Sequence, residues 1–178
     1  FDRGIIIPKK GLGELRRLIE GKADEFSIAL DKGNLLVGLD RTMLFIRLIE
    51  GDYPDYEQVL PKKADRRLTV DREAFLGSLR RVSLLANEKS RGVKLALSSN
   101  NLVITSSNSD LGDAKEELDV EYSSEAVEIG FNARYIIECL SILDCEKVNL
   151  DLSDKLSPGL LRPAGRTDYT YIVMPMRI

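Results

Sequence analysis

The chain has 178 residues, 43% of them hydrophobic and 31% charged, the balance of a folded globular protein with one large domain, or a domain and a piece of another. Its 26 Lys and Arg against 29 Asp and Glu leave a formal charge of -3, which disfavours a protein that grips nucleic acid by adhesion. Histidine is absent, which excludes a Ser-His-Asp or Cys-His site, and two cysteines, Cys139 and Cys145, are too few for a disulfide framework or a four-cysteine metal site.

No apolar run approaches 18 residues and no signal peptide is visible, so a cytoplasmic protein with reduced thiols and no membrane span is expected. The first residues, Phe1-Asp2-Arg3-Gly4, lack an initiator Met and run directly into Ile5-Ile6-Ile7, which reads as the start of a fragment.

In chain order, a short apolar strand over Gly4-Ile7 meets Pro8, which suits the opening turn of a helix because its missing N–H costs nothing there. A helix over about 9–20 follows, with Leu12, Leu15, Leu18 and Ile19 on one face and Gly21 as C-cap. Strands are expected at about 25–30, 34–39 and 43–49, the first two joined by the hairpin signal Asp31-Lys32-Gly33-Asn34. The same grammar returns with Leu68-Thr69-Val70, Asp71 as N-cap and a helix to about residue 85 with Phe75, Leu76, Leu79 and Val82 as its stripe. Strands at about 93–98, 102–107 and 115–121 follow, turning first at Asn100-Asn101. A third copy opens on Val127–Phe131, caps at Asn132 and continues as a helix to about Leu143, with Ile136, Cys139, Leu140 and Leu143 inward. Its strands fall at about 147–152, 159–162 and 169–174.

The boundary residues Pro8, Asp71 and Asn132 stand 63 and 61 positions apart. One supersecondary unit per period of about 60 residues marks an internal repeat. A unit with a single apolar helix face cannot bury it alone, whereas two units can pack helix on helix beneath antiparallel sheet. The second and third copies therefore form a complete domain, and the first is half of another.

More specific segments lie within the repeat. Glu50-Gly51-Asp52-Tyr53-Pro54-Asp55-Tyr56 leads to Val59-Leu60-Pro61; Leu85-Ala86-Asn87-Glu88-Lys89 precedes Arg91-Gly92-Val93. Glu128-Ile129-Gly130-Phe131-Asn132 is followed by Tyr135, and the chain closes on Tyr171-Ile172-Val173-Met174-Pro175-Met176-Arg177-Ile178. In this order and spacing they resemble the bacterial DNA polymerase III beta subunit family, the sliding clamps, over Gly4 to Ile178. The resemblance implies an α+β DNA-clamp fold of repeated helix-plus-antiparallel-strand units, with helices on the inner face and sheets outside. It implies residues 1–60 as the second half of a middle domain and 61–178 as a complete C-terminal domain. The implied function is a non-catalytic processivity factor, a head-to-tail homodimer ring when full length, that encircles duplex DNA without reading its sequence. The implied partners are the DNA polymerase III alpha subunit, the clamp loader and repair polymerases, each docking through a short linear motif; no cofactor or metal is implied.

Residue by residue, the resemblance carries a peptide-binding cleft onto Pro54, Gln58, Val59, Leu156, Pro158, Ile172, Val173, Met174, Pro175, Met176 and Arg177. Met side chains adapt to related motifs, Pro175 interrupts ladder pairing, and Arg177 suits a carboxylate or carbonyl. Gln58 stands where some members carry Arg, and Ser90 where others place an aromatic. Read without the resemblance, Ile172 and Met174 are core. The basic helix residues Lys9, Lys10, Arg16, Arg17, Arg72, Arg80, Arg81 and Arg134 are expected to face DNA, with Lys9 and Lys10 first because the resemblance places them where the family meets DNA. Leu84 and Leu85, with Asp110, Asp113, Glu116 and Glu117, match the ring joint. A fragment of this kind is expected to bind motif peptides weakly and to close no ring, since a head-to-tail joint needs a second face.

The rival classes are weaker. Gly11-Leu12-Gly13 lacks the third glycine of a nucleotide loop, Asp151-Leu152-Ser153-Asp154 reads as a turn rather than a calcium loop, and no carboxylates stand out as an acid and base pair. A protein-interaction scaffold without a DNA role is the remaining alternative.

Overall fold

The computed structural model describes residues 4–20, 25–53, 55–61 and 64–177. The chain forms two compact units, Phe1–Asp55 and Tyr56–Ile178.

In the first unit, helix α1 (Lys9–Ile19) starts at Pro8 and lies on a three-stranded antiparallel sheet, β1 (Ser27–Asp31), β2 (Asn34–Leu39) and β3 (Thr42–Arg47). Lys32 and Gly33 both take positive φ, the two-residue turn whose twist matches that of the strands it joins. Leu15, Leu35, Val37 and Ile46 form the core. Gly11 belongs to that packing: a Cβ there would strike the Ile46 side chain, so the missing atom lets α1 sit close to β3. The expected strand at Gly4–Ile7 is reduced to a single bridge, Ile6 to Ile49. The expected C-cap at Gly21 lies outside the described residues.

The second unit contains β4 (Arg66–Asp71), α2 (Arg72–Val82), β5 (Gly92–Ser98), β6 (Asn101–Asn108) and β7 (Gly112–Asp119), then β8 (Val127–Asn132), α3 (Ala133–Ile142), β9 (Lys147–Leu152), β10 (Gly159–Pro163) and β11 (Tyr171–Val173). Both helices have side-chain N-caps: Asp71 accepts from the Ala74 N–H and Asn132 from the Arg134 N–H. The two halves exchange their opening strands. One four-stranded sheet runs β11-β10-β9-β4, the other β7-β6-β5-β8. Each half thus completes the other's sheet, and neither sheet exists without both halves.

Two bridges close the seams between these sheets, Thr69 to Glu121 and Gly130 to Met176. Each uses the residue two before the helix cap and the segment just beyond the half's last strand; Ile6, two before Pro8, does the same with Ile49. The seam explains two strand boundaries that differ from the sequence expectation. β7 ends at Asp119 because Glu121 turns to β4, and β11 ends at Val173 because Pro175 has no N–H and Met176 crosses to β8. The core is one cluster filled by both helices and both sheets, with Phe75, Leu79, Ile136 and Leu140 among its members.

Candidate functional site

The exposed face of α3 carries Arg134, Glu138 and Ser141 at helical spacing, and Arg80 of α2 reaches that same face, its Nη2 donating to Ser141 Oγ at 3.2 Å. Arg80 and Arg134 therefore share one exposed face of the helix pair. Arg134 also donates to Glu138 at 2.6 Å, which raises its pKa. In the first unit, Arg16 pairs with Glu20 at 2.7 Å and Arg17 with Glu14 at 2.8 Å, both exposed, while Lys9 and Lys10 are exposed and have no ion pair among the described residues.

Two basic residues have other tasks. Arg72 is a correction to the expected DNA-facing set. Its guanidinium donates to the Cys145 carbonyl at 3.0 Å and the Leu140 carbonyl at 3.1 Å, and it also pairs with Glu73. Leu140 is in the last turn of α3, where carbonyls lack helical partners, so Arg72 caps one helix from the first position of the other. Arg81 turns to β7 and holds Glu116 through two hydrogen bonds of 2.5 and 2.6 Å. Those bonds keep the Glu116 carboxyl below the usual carboxylate range, with Ser78 adding to the effect. Glu116, expected at a ring joint, is thus committed within its own unit.

The other joint residues are open. Leu84 is 75% exposed in the 3-10 turn Ser83–Leu85, with Leu85 half-buried beside it. Asp110, Asp113 and Glu117 are exposed on and before β7, the outer strand of its sheet, and Glu117 pairs with Lys115.

The terminal strand follows the alternation of a sheet. Val173 is 2% exposed and belongs to the core, which corrects its expected peptide contact. Its neighbour Met174 points the other way and is 61% exposed, so the reading of Met174 as core is also corrected. Ile172, Pro175 and Met176 are half-buried and Arg177 is exposed. Leu156 is exposed and Pro158 half-buried on the loop before β10; Gln58 and Val59 are exposed in the short 3-10 helix Tyr56–Val59. Pro54 lies outside the described residues. A pocket of about 510 Å³ opens beside Leu156, Met176 and Arg177.

Sequence reasoning missed three features. Asp151, on β9, is 1% exposed and receives two hydrogen bonds from Arg67 of β4, at 2.6 and 3.0 Å, with Arg162 of β10 at 3.5 Å. Asp154 orders its loop by accepting from the Leu156 and Ser157 N–H groups at 2.7 and 2.8 Å. Tyr169 meets the buried Cys139 thiol, O to S 3.8 Å, and burial first, then Cys139, pushes the phenol up to about 12. The Asp-x-x-Asp spacing hinted at the second feature; the first and third depend on residues distant in sequence.

The Tyr169 shift makes an alkaline prediction. Its folded pKa lies above the ordinary value, so the neutral phenol is favoured in the fold. That stability is fully present below about pH 10 and is lost as pH rises towards 12. Between pH 9 and 11.5, wild type should lose on the order of 2 kcal/mol more stability in urea than Tyr169→Phe. Parallel losses would show that the hydroxyl ionises as freely in the folded state as in the unfolded one.

No His, Cys, Asp and Glu cluster able to hold a metal occurs among the described residues, and no helix among them is long and apolar enough to cross a membrane.

With helices, sheets and seams in place, the fold is that of a DNA clamp. Solved sliding clamps match it: the DNA polymerase III subunit beta of Pseudomonas aeruginosa has a TM-score of 0.91 at 37% identity, covering 98% of this chain and 48% of that one. A second P. aeruginosa structure, bound to griselimycin, has a TM-score of 0.89 at 37% identity, covering 98% of this chain and 47% of that one. The model of the DNA polymerase III beta subunit central domain matches residues 2–55, and that of the C-terminal domain matches residues 57–177. The chain belongs to the DNA polymerase III beta subunit family. The beta sliding clamp of Pseudomonas putida is 38% identical over 174 residues, 98% of this chain and 47% of that protein. The chain spans about half the length of the curated relatives it matches.

Proposed function

We propose that this chain acts as part of a DNA sliding clamp, a non-catalytic processivity factor that encloses duplex DNA as a ring and tethers polymerases through short peptide motifs. Residues 1–60 would be the second half of a middle domain and 61–178 the C-terminal domain. The reading rests on one observation above all: the helix pair of the second unit presents Arg80 and Arg134 on a common exposed face.

A ring holds DNA by topology, so its cations need only favour the duplex without gripping it. Each phosphate neutralised would tighten binding and slow sliding. The helix cations fit that requirement. Lys9, Lys10 and Arg80 make no ion pair among the described residues, whereas Arg17 and Arg134 share their charge with a glutamate on the same helix and Arg16 with the C-cap residue Glu20. The exposed face of β7 carries Asp113, Glu117 and Asp119 against Lys115, a net acidic surface that would repel DNA from that side. Leu84 and the outer edge of β7 supply apolar surface and open backbone for a joint with a second subunit.

The docking surface for partner motifs would be the tail around Met174 with Leu156, Val59 and Arg177. The griselimycin complex of a relative supports a ligand site in this family. A protein-interaction scaffold without DNA leaves the cationic helix face without a role.

The decisive experiment uses a full-length chain containing these 178 residues, loaded onto nicked circular plasmid. Retention on the circle and rapid loss after linearisation is the expected result. Equal retention on both forms would mean adhesion rather than enclosure and would refute the proposal.

A further inference from the structure

The pocket beside the terminal strand has a chemical bias that the peptide-docking role does not require. Its lining is apolar at Ile129, Leu156 and Met176 and cationic at Lys94, Lys155 and Arg177, against a single acid, Glu128. Glu128 is already taken by Lys94 at 3.5 Å. Lys155 and Arg177 make no ion pair among the described residues, so two uncompensated cations border one apolar pocket.

Their backbones are fixed in two ways, one local and one from a distant part of the chain. Asp154 accepts the Leu156 and Ser157 N–H groups and the Ser157 hydroxyl, which sets the loop that carries Lys155. The Met176 N–H donates to the Gly130 carbonyl at 2.8 Å, which anchors the tail immediately before Arg177. Both cations thus stand on ordered backbone lining the same pocket, and the polarizable Met176 side chain adapts to what enters.

We propose that this pocket is an acidic subsite of the peptide-docking surface: it takes a carboxylate side chain that neighbours the apolar motif residues of a partner, with Lys155 and Arg177 as its specificity-determining cations. The inference rests on the peptide-docking reading and adds to it a preference among partners. A motif residue seated on Ile129, Leu156 and Met176 brings the next side chain to these cations. A glutamate or aspartate there meets opposite charge, and a lysine or arginine is repelled. Since the cations are exposed, the gain is modest and screened by salt.

The test is fluorescence anisotropy of a full-length chain containing these 178 residues with two fluorescein-labelled peptides. Both contain a leucine–phenylalanine pair, flanked in one by glutamate and in the other, at the same places, by glutamine. The glutamate peptide should bind about fivefold more tightly at low salt, with the gap closing at high salt. Lys155→Ala combined with Arg177→Ala should abolish the preference, and Lys155→Glu should reverse it. Equal binding of the two peptides by wild type overturns the subsite and leaves the docking surface standing. A preference that survives Lys155→Ala with Arg177→Ala places the discrimination elsewhere and also overturns it. If neither peptide binds at any accessible concentration, the docking reading falls and the subsite falls with it.

Discussion

Phe75→Ala should destabilise the second unit by about 3–5 kcal/mol, and Ile136→Ala by about 2–5, while Leu12→Ala should cost less than about 1. The three positions are equivalent in the repeat, each four residues after its helix cap. Their surroundings differ. Phe75 is 0% exposed and Ile136 1%, packed where α2 and α3 meet over the sheets; Leu12 is 52% exposed. Truncating a buried side chain loses its transfer energy and leaves a cavity that the neighbours only partly fill. Truncating a side chain already half in water loses little of either. The repeat thereby supplies its own control, one pattern position in two settings. Urea denaturation followed by circular dichroism, with methyl NMR signals assigning the loss to a unit, measures all three. A Leu12→Ala cost equal to that of Phe75→Ala would mean that α1 is covered in solution. Such a difference would support reading the first unit as half of a two-helix domain, since Leu12 holds the repeat position that Phe75 and Ile136 hold in the second unit.

The repeat was legible because its signals are local. Asp71 and Asn132 cap the helices they were expected to cap, and α1 begins after Pro8. The turn at Lys32-Gly33 follows from one glycine and a short gap between apolar runs. What escaped depends on neighbours far along the chain. Apolar periodicity puts Leu12 on the stripe of α1 but cannot say whether anything covers that stripe. Val173 and Met174 are adjacent apolar residues, and only the register of β11 on β10 decides that the first is core and the second surface. Arg72 looked like one more cation on a basic helix; its partners are carbonyls around residues 140 and 145, brought near by the helix packing. Among the candidate site residues, the exposed ones on the helices were the easiest to place on a face: Lys9, Lys10 and Arg80.

Replacing Arg67 and Arg162 together by methionine should cost about 3–5 kcal/mol, more than either exposed arginine would lose at an ordinary surface pair. The reason is Asp151. On β9 its neighbours Leu150 and Leu152 face the core, so alternation sends Asp151 to the opposite face of the sheet, where water would ordinarily reach it. Instead its side chain is 2% exposed, covered by the two arginines that bind it. Arg67 lies directly across from Asp151 in the β4–β9 register, and Arg162 comes from β10 on the other side. One carboxylate therefore ties three strands, including the pair in which β4 of one half joins β9 of the other. Methionine keeps much of the arginine stem, so the carboxylate stays covered while both countercharges go. A buried, unpaired charge then carries its full desolvation cost. Adding Asp151→Asn removes that charge and should recover most of the loss, which a simple packing defect would not do. Urea midpoints of the double and triple variants at neutral pH give the comparison. A double variant within about 1 kcal/mol of wild type, or a triple variant no better than the double, would mean that the strand exchange holds without this ionic tie.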